Sequence, residues 1–186
     1  MIANRMSFAF GLQGPSMTVD SGQSSWLVAV HLACESRRTG ASPLAIAGGV
    51  HLNLASETAM LETEFGAISA SGHTYAFDER ADGYVRGEGG AVVLLKPLHA
   101  ALDDGDRIHA IIRGSAVNNA GHSAAGLTVT SVPGQVDVIR RALLRAGLDS
   151  NQVDYVEAHG TGTEIGDPVE ATALGEVFAH RRQRPM

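Results

Sequence analysis

A layered α/β fold is predicted by three features of this 186-residue sequence. Short apolar runs bounded by Gly, Asp or Pro alternate with stretches of helical periodicity, the pattern of strands and helices stacked in layers. Hydrophobic residues make up 44%, charged residues 18%, and glycines number 22, which suits a compact, turn-rich chain and not a coiled coil or a tail. No internal repeat, low-complexity segment or Pro/Ser linker breaks the alternation. One domain with a substantial core is therefore expected.

Strands are predicted at residues 16–20, 44–48, 91–95, 108–117 and 153–158, where continuous apolar runs have the character of strands buried on both faces. A helix over 24–39 is apolar nearly all round, with Trp26, Leu27, Val28, Val30, Leu32 and Cys34, so it is expected to be central and covered on most sides. Gly40 suits its stop. The segment 66–90, "GAISASGHTYAFDERADGYVRGEGG", reads as a long loop, and loops of that length in a compact domain usually serve function or contact. Residues 134–148 place Val136, Ile139, Leu143 and Ala146 on one face and the arginines away from it, predicting an outer helix on the sheet. A last helix starts at "GDPVEA": Asp167 is placed as its cap, Pro168 in the first turn and Glu170 three residues after the cap, a capping box.

A net charge of −6 opposes non-specific nucleic-acid binding, which needs clustered Lys and Arg. The basic run "HRRQR" at 180–184 reads as a solvated loop. Cys34 is the only cysteine, so no intrachain disulfide forms and a reducing compartment is expected. The apolar run 26–30 is broken at His31, far too short to span a bilayer, and "MIANRMSFAFG" lacks a signal-peptide pattern. A cytoplasmic protein without membrane or nucleic-acid partners is the expectation. His31, His51, His73, His99, His109, His122 and His180 show no metal-ligand spacing, and no zinc site is expected.

Two stretches carry candidate chemistry. "VDSGQSSW", residues 19–26, reads as strand, tight glycine turn and helix start, where α/β enzymes commonly present a nucleophile; its tip is Gln23. A primary amide neither attacks a thioester nor yields a useful proton. The first N–H groups of a helix lack internal partners and its dipole favours an anion, so this tip suits a developing oxyanion. Equally, Gln23 is read as an ordinary polar residue at a helix start. Cys34 does not replace it, because eleven residues of helix carry it roughly 16 Å away; a core residue is the expectation.

The second stretch is "VDYVEAHGTGTEIGDP", a strand running into His159, Gly160, Thr161, Gly162 and Thr163. A histidine there donates to a carbonyl oxygen or shuttles a proton near neutral pH, or simply satisfies a buried carbonyl. Thr161 and Thr163 suit gripping a polar chain. A dinucleotide reading of Gly160, Gly162 and Gly166 is set aside because the helix starts beyond the third glycine, and "GYVRGEGG" lacks the ending of a phosphate loop.

Taken in order, "NRMSFAFGLQGPSMTVDSGQSS", "LVAVHLAC", "AIAGGV", "AFDERADGYVRGEGG", "IRGSAVN" and "VDYVEAHGTGTEIGDPVEA" resemble the β-ketoacyl synthase domain of modular type I polyketide synthases. The resemblance runs through essentially the whole chain. It implies the thiolase-like fold, α-β-α-β-α layers usually assembled as a homodimer, here partial: residues 1–150 as most of the N-terminal half and 151–186 as the start of the C-terminal half. The family's opening strands, downstream lysine, second histidine motif and gate loop are missing, so a piece from the middle of a larger domain is expected.

In the family the tip residue is a cysteine acylated from an acyl carrier protein, and two histidines assist decarboxylation of a malonyl-type unit. Gln23 stands in that cysteine position, His159 matches the first histidine, and Thr161 and Thr163 match hydroxyls contacting the phosphopantetheine arm. The resemblance is to the Gln-for-Cys loading-module variant, which decarboxylates malonyl- or methylmalonyl-carrier protein to a starter unit and does not condense. It implies no cofactor bound by the domain itself, the phosphopantetheine arm arriving on the acyl carrier protein, and an adjacent acyltransferase domain as partner. A non-catalytic, chain-length-factor-like protein is the alternative, and a condensing enzyme is disfavoured by Gln23. Trp26 departs from the small residue usual in the family, and is expected either to pack or to reshape the acyl pocket.

Overall fold

The computed structural model describes residues 1–121 and 130–179. His122, His180 and the basic run 180–184 lie outside the described residues. The helices are α1 (Ile2–Ala9), α2 (Ser25–Arg38), α3 (Ser56–Glu64), α4 (Leu98–Asp103), α5 (Val132–Ala146) and α6 (Gly166–Phe178), with a 3-10 turn at Ser150–Gln152; the strands are β1 (Ala45–His51) and β2 (Gly89–Leu95). The chain divides into two compact units, one of Met1–His51 with Glu88–Ile111, the other of Leu52–Gly87 with Ile112 onward.

In the first unit, β1 and β2 pair antiparallel with Ala45 opposite Leu95 and His51 opposite Gly89. Side chains alternate across a strand, so Ala45, Ala47 and Gly49 share one face with Leu95, Val93 and Ala91. α2 packs on that face. Its first turn seats Trp26 on Gly49, where an added Cβ would stand 3.1 Å from the indole. The absence of a side chain at Gly49 is what admits the large ring, so Trp26 packs against β1 in this unit. On the opposite face Ile46, Val50, Val92 and Leu94 are 41%, 66%, 67% and 63% exposed. The continuous apolar pattern of these strands predicts cover on both sides, and the described residues supply it on one.

The same shortfall revises α2. No residue of the helix is buried, and Leu27 remains 68% exposed, against the expectation of a helix covered on most sides. Its apolar circumference exceeds the one sheet face available to it. Strands expected at 16–20, 108–117 and 153–158 are also not formed among the described residues. A strand needs a ladder partner for its backbone groups, and among the described residues only β1 and β2 find one.

In the second unit, α5 begins at Ser131, whose hydroxyl accepts the Gly134 N–H, and ends at left-handed Gly147. Val136 of its apolar face joins Ala173, Val177 and Phe178 of α6 in the core, with Ile139, Leu143, Val153 and Val156 packed around them. The predicted apolar face of α5 is thus correct, and its cover is α6 together with Val153 and Val156, which form no sheet among the described residues. The segment before it also runs close: a Cβ on Gly114 would lie 2.5 Å from the Ala146 nitrogen. α6 starts at Gly166 with Ile165 as cap, so the expected Asp167 capping box does not form. Its two carboxylates are engaged elsewhere.

Candidate functional site

Gln23 sits at the elbow of the first unit, one residue before the cap of α2, and is exposed. The turn is built by local bonds. Gly22 adopts φ +65 in open space, and its N–H donates to Asp20 Oδ1 at 3.1 Å. Ser24 Oγ donates back to the Ser21 carbonyl at 3.0 Å, and Ser25 Oγ donates to the Gly22 carbonyl at 2.6 Å. No side chain caps α2, the Ser25 N–H donates to the Gly22 carbonyl at 3.1 Å, and the N–H groups of Trp26 and Leu27 point toward the N-terminal end of the helix, at the tip. Cys34 lies half-buried along the same helix, and burial pushes its thiol up, away from the thiolate form.

The second unit holds His159, Thr161 and Thr163 on one loop ahead of α6. The side chain of His159 is exposed while its N–H donates to Glu170 Oε1 at 2.7 Å. Gly160 N–H donates to Glu170 Oε2 at 2.8 Å. Asp167, only 4% exposed, accepts from Gly162 N–H at 3.0 Å and from Phe77 N–H at 2.6 Å. In a capping box these carboxylates would serve their own helix. Here the loop's otherwise unpaired N–H groups claim them.

Thr163 Oγ1 accepts the Gly166 N–H at 3.1 Å, which makes Thr163 the side chain that closes the start of α6. It also lies 3.0 Å from Thr161 Oγ1. Whichever hydroxyl donates within that pair, the other keeps its hydrogen free. The two threonines together therefore offer one O–H donor to a passing polar chain.

The loop 66–87 packs against this turn. Gly83 N–H donates to the Gly162 carbonyl at 2.7 Å. Ser69 N–H donates to the Tyr84 carbonyl and Tyr84 N–H to the Ala67 carbonyl, across a bridge formed by Ile68 and Tyr84. Phe77, the one non-glycine residue with positive φ among the described residues, holds φ 59 beside Gly160. Strained backbone of this kind persists only where neighbours impose it, and the Asp167 bond to its N–H does so. A shallow cleft of roughly 370 Å³ lies here, lined by Phe77, Asp78, Thr163, Glu164 and Asp167 among others.

Charge on the loop is locally managed. Arg80 forks onto Asp78 at 2.8 and 3.0 Å, holding that carboxyl down to about 2, and its guanidinium lies 4.3 Å from the Tyr75 ring centre. Asp82 accepts from Ser69 Oγ at 2.7 Å and Ser71 N–H at 3.1 Å, and the Ser69 bond leads in lowering its pKa. A carboxylate with a depressed folded pKa contributes stability above its unfolded pKa and loses it as pH falls through the folded value. Acid is therefore expected to loosen this loop below the ordinary carboxylate range of about 4. The protection factor of the Ser71 amide, its exchange rate corrected for the intrinsic rate at each pH, is expected to fall on acidification in the parent protein and to stay low and flat with pH in Asp82→Asn.

The sequence singled out Gln23, His159, Thr161 and Thr163 as candidates, and it did not foresee the contacts that Asp167, Glu170, Phe77 and Gly83 make with the loop. The i, i+3 spacing of Asp167 and Glu170 was the available signal, and a local cap accounts for it equally well. Among the described residues no three His, Cys, Asp or Glu gather as a metal would need. No helix among them is long and apolar enough to cross a membrane.

Solved structures of known proteins share this fold. An oxazolomycin ketosynthase domain from Streptomyces albus JA3453 aligns with TM-score 0.92 and 44% identity over 95% of this chain and 30% of its own. The ketosynthase from module 6 of the Bacillus subtilis 168 bacillaene synthase aligns with TM-score 0.94 and 38% identity, over 99% of this chain and 33% of its own. The fold is thus a thiolase-like ketosynthase fold, present in part, since the chain spans about a third of those structures. The model of the beta-ketoacyl synthase N-terminal domain matches residues 1–101, and that of the C-terminal domain matches residues 109–186. The chain belongs to the β-ketoacyl synthase family.

Its relatives include polyketide synthase GfsA of Streptomyces halstedii, 54% identical over 100% of this chain and 2% of that protein. The highly reducing polyketide synthase ausV of Aspergillus calidoustus is 50% identical over 100% of this chain and 7% of that protein. The chain thus spans a small part of the curated relatives it matches.

Proposed function

We propose that this chain is part of a ketosynthase-like domain that decarboxylates a malonyl- or methylmalonyl-acyl carrier protein to supply the starter unit of a polyketide, without condensing. The observation that carries the reading is Gln23 at the elbow, where the sequence places an amide at the nucleophile's position, together with a complete His-Gly-Thr-Gly-Thr loop. An amide blocks acyl transfer to the enzyme. Decarboxylation needs no such transfer.

In this reading the bond between the α-carbon and the carboxylate breaks, carbon dioxide leaves, and the electron pair moves into the thioester carbonyl. Hydrogen-bond donors stabilise the enolate oxygen, the role this reading gives to His159, and the α-carbon then takes a proton; the Gln23 amide, at the position of the family's nucleophile, is read as a further donor. Thr161 and Thr163 hold the phosphopantetheine arm of the acyl carrier protein, and the domain itself binds no cofactor. The domain works as a homodimer in the cytoplasm, beside an acyltransferase domain that loads the carrier.

The test incubates the intact synthase module with malonyl- and methylmalonyl-loaded carrier protein and follows the carrier by intact mass. Loss of carbon dioxide without a condensed product is the expected outcome, and it identifies the preferred unit. Gln23→Ala is expected to slow that loss about 10-fold or more, as removal of one oxyanion donor does. An unchanged carrier would point instead to a non-catalytic, chain-length-factor-like partner. Equal rates for Gln23→Ala and the parent would remove Gln23 from the mechanism.

A further inference from the structure

Arg86 carries a charge that the fold does not fully use. Its side chain is 14% exposed, and its one ion-pair partner among the described residues is Glu62 of α3, 22% exposed, with Nε 3.1 Å from Oε2. That approach lies outside hydrogen-bond geometry, so the buried Nε has no acceptor. The Glu62 oxygen it faces already accepts the Tyr84 hydroxyl at 3.2 Å. A guanidinium has five N–H donors and keeps its charge at any ordinary pH. Holding one mostly buried with donors unfilled is costly, and a group kept in that state calls for a further acceptor.

The backbone places this cation beside the candidate site. Tyr84 N–H donates to the Ala67 carbonyl, whereas Gly83 N–H donates to the Gly162 carbonyl at 2.7 Å and Val85 N–H to Thr74 Oγ1 at 2.9 Å. Tyr84 and Arg86, two residues apart, both meet Glu62 and so share a face. Arg86 stands three residues, at most about 10 Å of chain, from the bond that holds the loop of His159, Thr161 and Thr163. Glu62 tethers the long side chain, which reduces the freedom it loses on taking a ligand.

The substrate of the proposed reaction brings an acceptor of the right kind. A malonyl-type unit ends in a free carboxylate, whose two oxygens match the planar fork of a guanidinium. We propose that Arg86 is the receptor for that carboxylate and selects a malonyl-type unit over an acyl unit that lacks one. The unfilled donors and the tether stand by themselves; the choice of ligand rests on the decarboxylase reading. As the bond to the α-carbon breaks, the carboxylate becomes neutral carbon dioxide and its hold on the cation fades. Arg86 therefore stabilises the bound substrate more than the transition state, so it sets selectivity and KM and does not speed the chemical step.

The experiment compares Arg86→Met with Glu62→Gln in the intact module. With malonyl-carrier protein, Arg86→Met is expected to raise KM about 10-fold, with kcat at or above the parent value. Glu62→Gln is expected to move KM the other way, down about threefold, because it removes the anion that competes for the same guanidinium. A role in the fold alone would not separate the two, since breaking either half of an ion pair weakens the same structure.

Binding supplies a readout apart from turnover. In the His159→Ala module, malonyl-carrier protein is expected to bind about 10-fold more tightly than acetyl-carrier protein, and Arg86→Met is expected to abolish the difference. The carrier with an unacylated arm tests the phosphate of that arm, the other anion of the substrate. Equal weakening of the unacylated and malonyl carriers by Arg86→Met would give the guanidinium to the phosphate and overturn the proposal. KM changes of the same sign in both variants, or a parent without preference for malonyl over acetyl, would overturn it too. If Arg86→Met does not fold, Arg86→Lys takes its place: a raised KM beside the lowered one of Glu62→Gln supports the receptor, and parent values in both overturn it. A module that prefers the malonyl carrier yet releases no carbon dioxide would sink the functional reading alone and leave the receptor standing.

Discussion

Gly83→Ala is expected to cost about 3 kcal/mol or more and to dismantle the loop that carries the candidate site. Two independent penalties combine there. Gly83 holds φ +128, a conformation that side chains rarely adopt, and an added Cβ would stand 2.6 Å from the Ala67 carbonyl oxygen and 2.7 Å from the Ser69 nitrogen. Those atoms are backbone on both sides of Ile68, which itself bridges to Tyr84, so they have no flexible side chain to swing aside. Relief requires moving Gly83, and its N–H bond to the Gly162 carbonyl then stretches or breaks. Denaturant unfolding of the variant is expected to show a lowered midpoint. Gly87→Ala, in the same loop but with nothing within 4 Å of its Cβ, is the control and is expected to unfold like the parent.

Under the proposed decarboxylase function, His159→Ala is expected to reduce that activity about 100- to 1000-fold while leaving stability close to that of the parent. The side chain is exposed, and the loop grips this residue through its backbone N–H, which alanine retains. Loss of rate without loss of fold is therefore the signature of a group that touches the reacting atoms. Steady-state turnover of malonyl-carrier protein, paired with a thermal melt, reads both quantities. A variant that turns over at the parent rate would remove His159 from the chemistry and leave the loop as a binding element only.

Much of the local architecture was legible in advance because it depends on neighbours in sequence. The elbow at 20–25 closes through bonds spanning two to four residues, among them Gly22 to Asp20 and Ser21 to Ser25. α5 follows the periodicity of its apolar residues, and Gly147 ends it in the left-handed conformation that favours glycine. The motifs that carry the family resemblance are likewise local. Each is read from a short stretch without knowledge of what it folds against.

The misreadings share one cause. Asp167 and Glu170 have the spacing of a helix cap, and a local rule assigns them to α6. The structure gives one Asp167 oxygen to Phe77, ninety residues earlier in the chain, and sends both Glu170 oxygens back to His159 and Gly160. Segments 108–117 and 153–158 have strand composition, yet a strand exists only where another backbone lies alongside, and no ladder forms on them among the described residues. Trp26 was open between packing and reshaping a pocket, and Gly49 settles the first by leaving room for the ring on β1.

From its sequence alone this protein already has three of its helices, α2, α5 and α6, its glycine elbow with an amide at the tip, and the motif order of a β-ketoacyl synthase, because those properties are carried by residues a few positions apart. Only the tertiary structure decides which donors the two carboxylates serve and how His159 is held. A buried or strained N–H takes the acceptor that folding brings nearest, and that proximity is a property of the packed chain and not of any short segment of it.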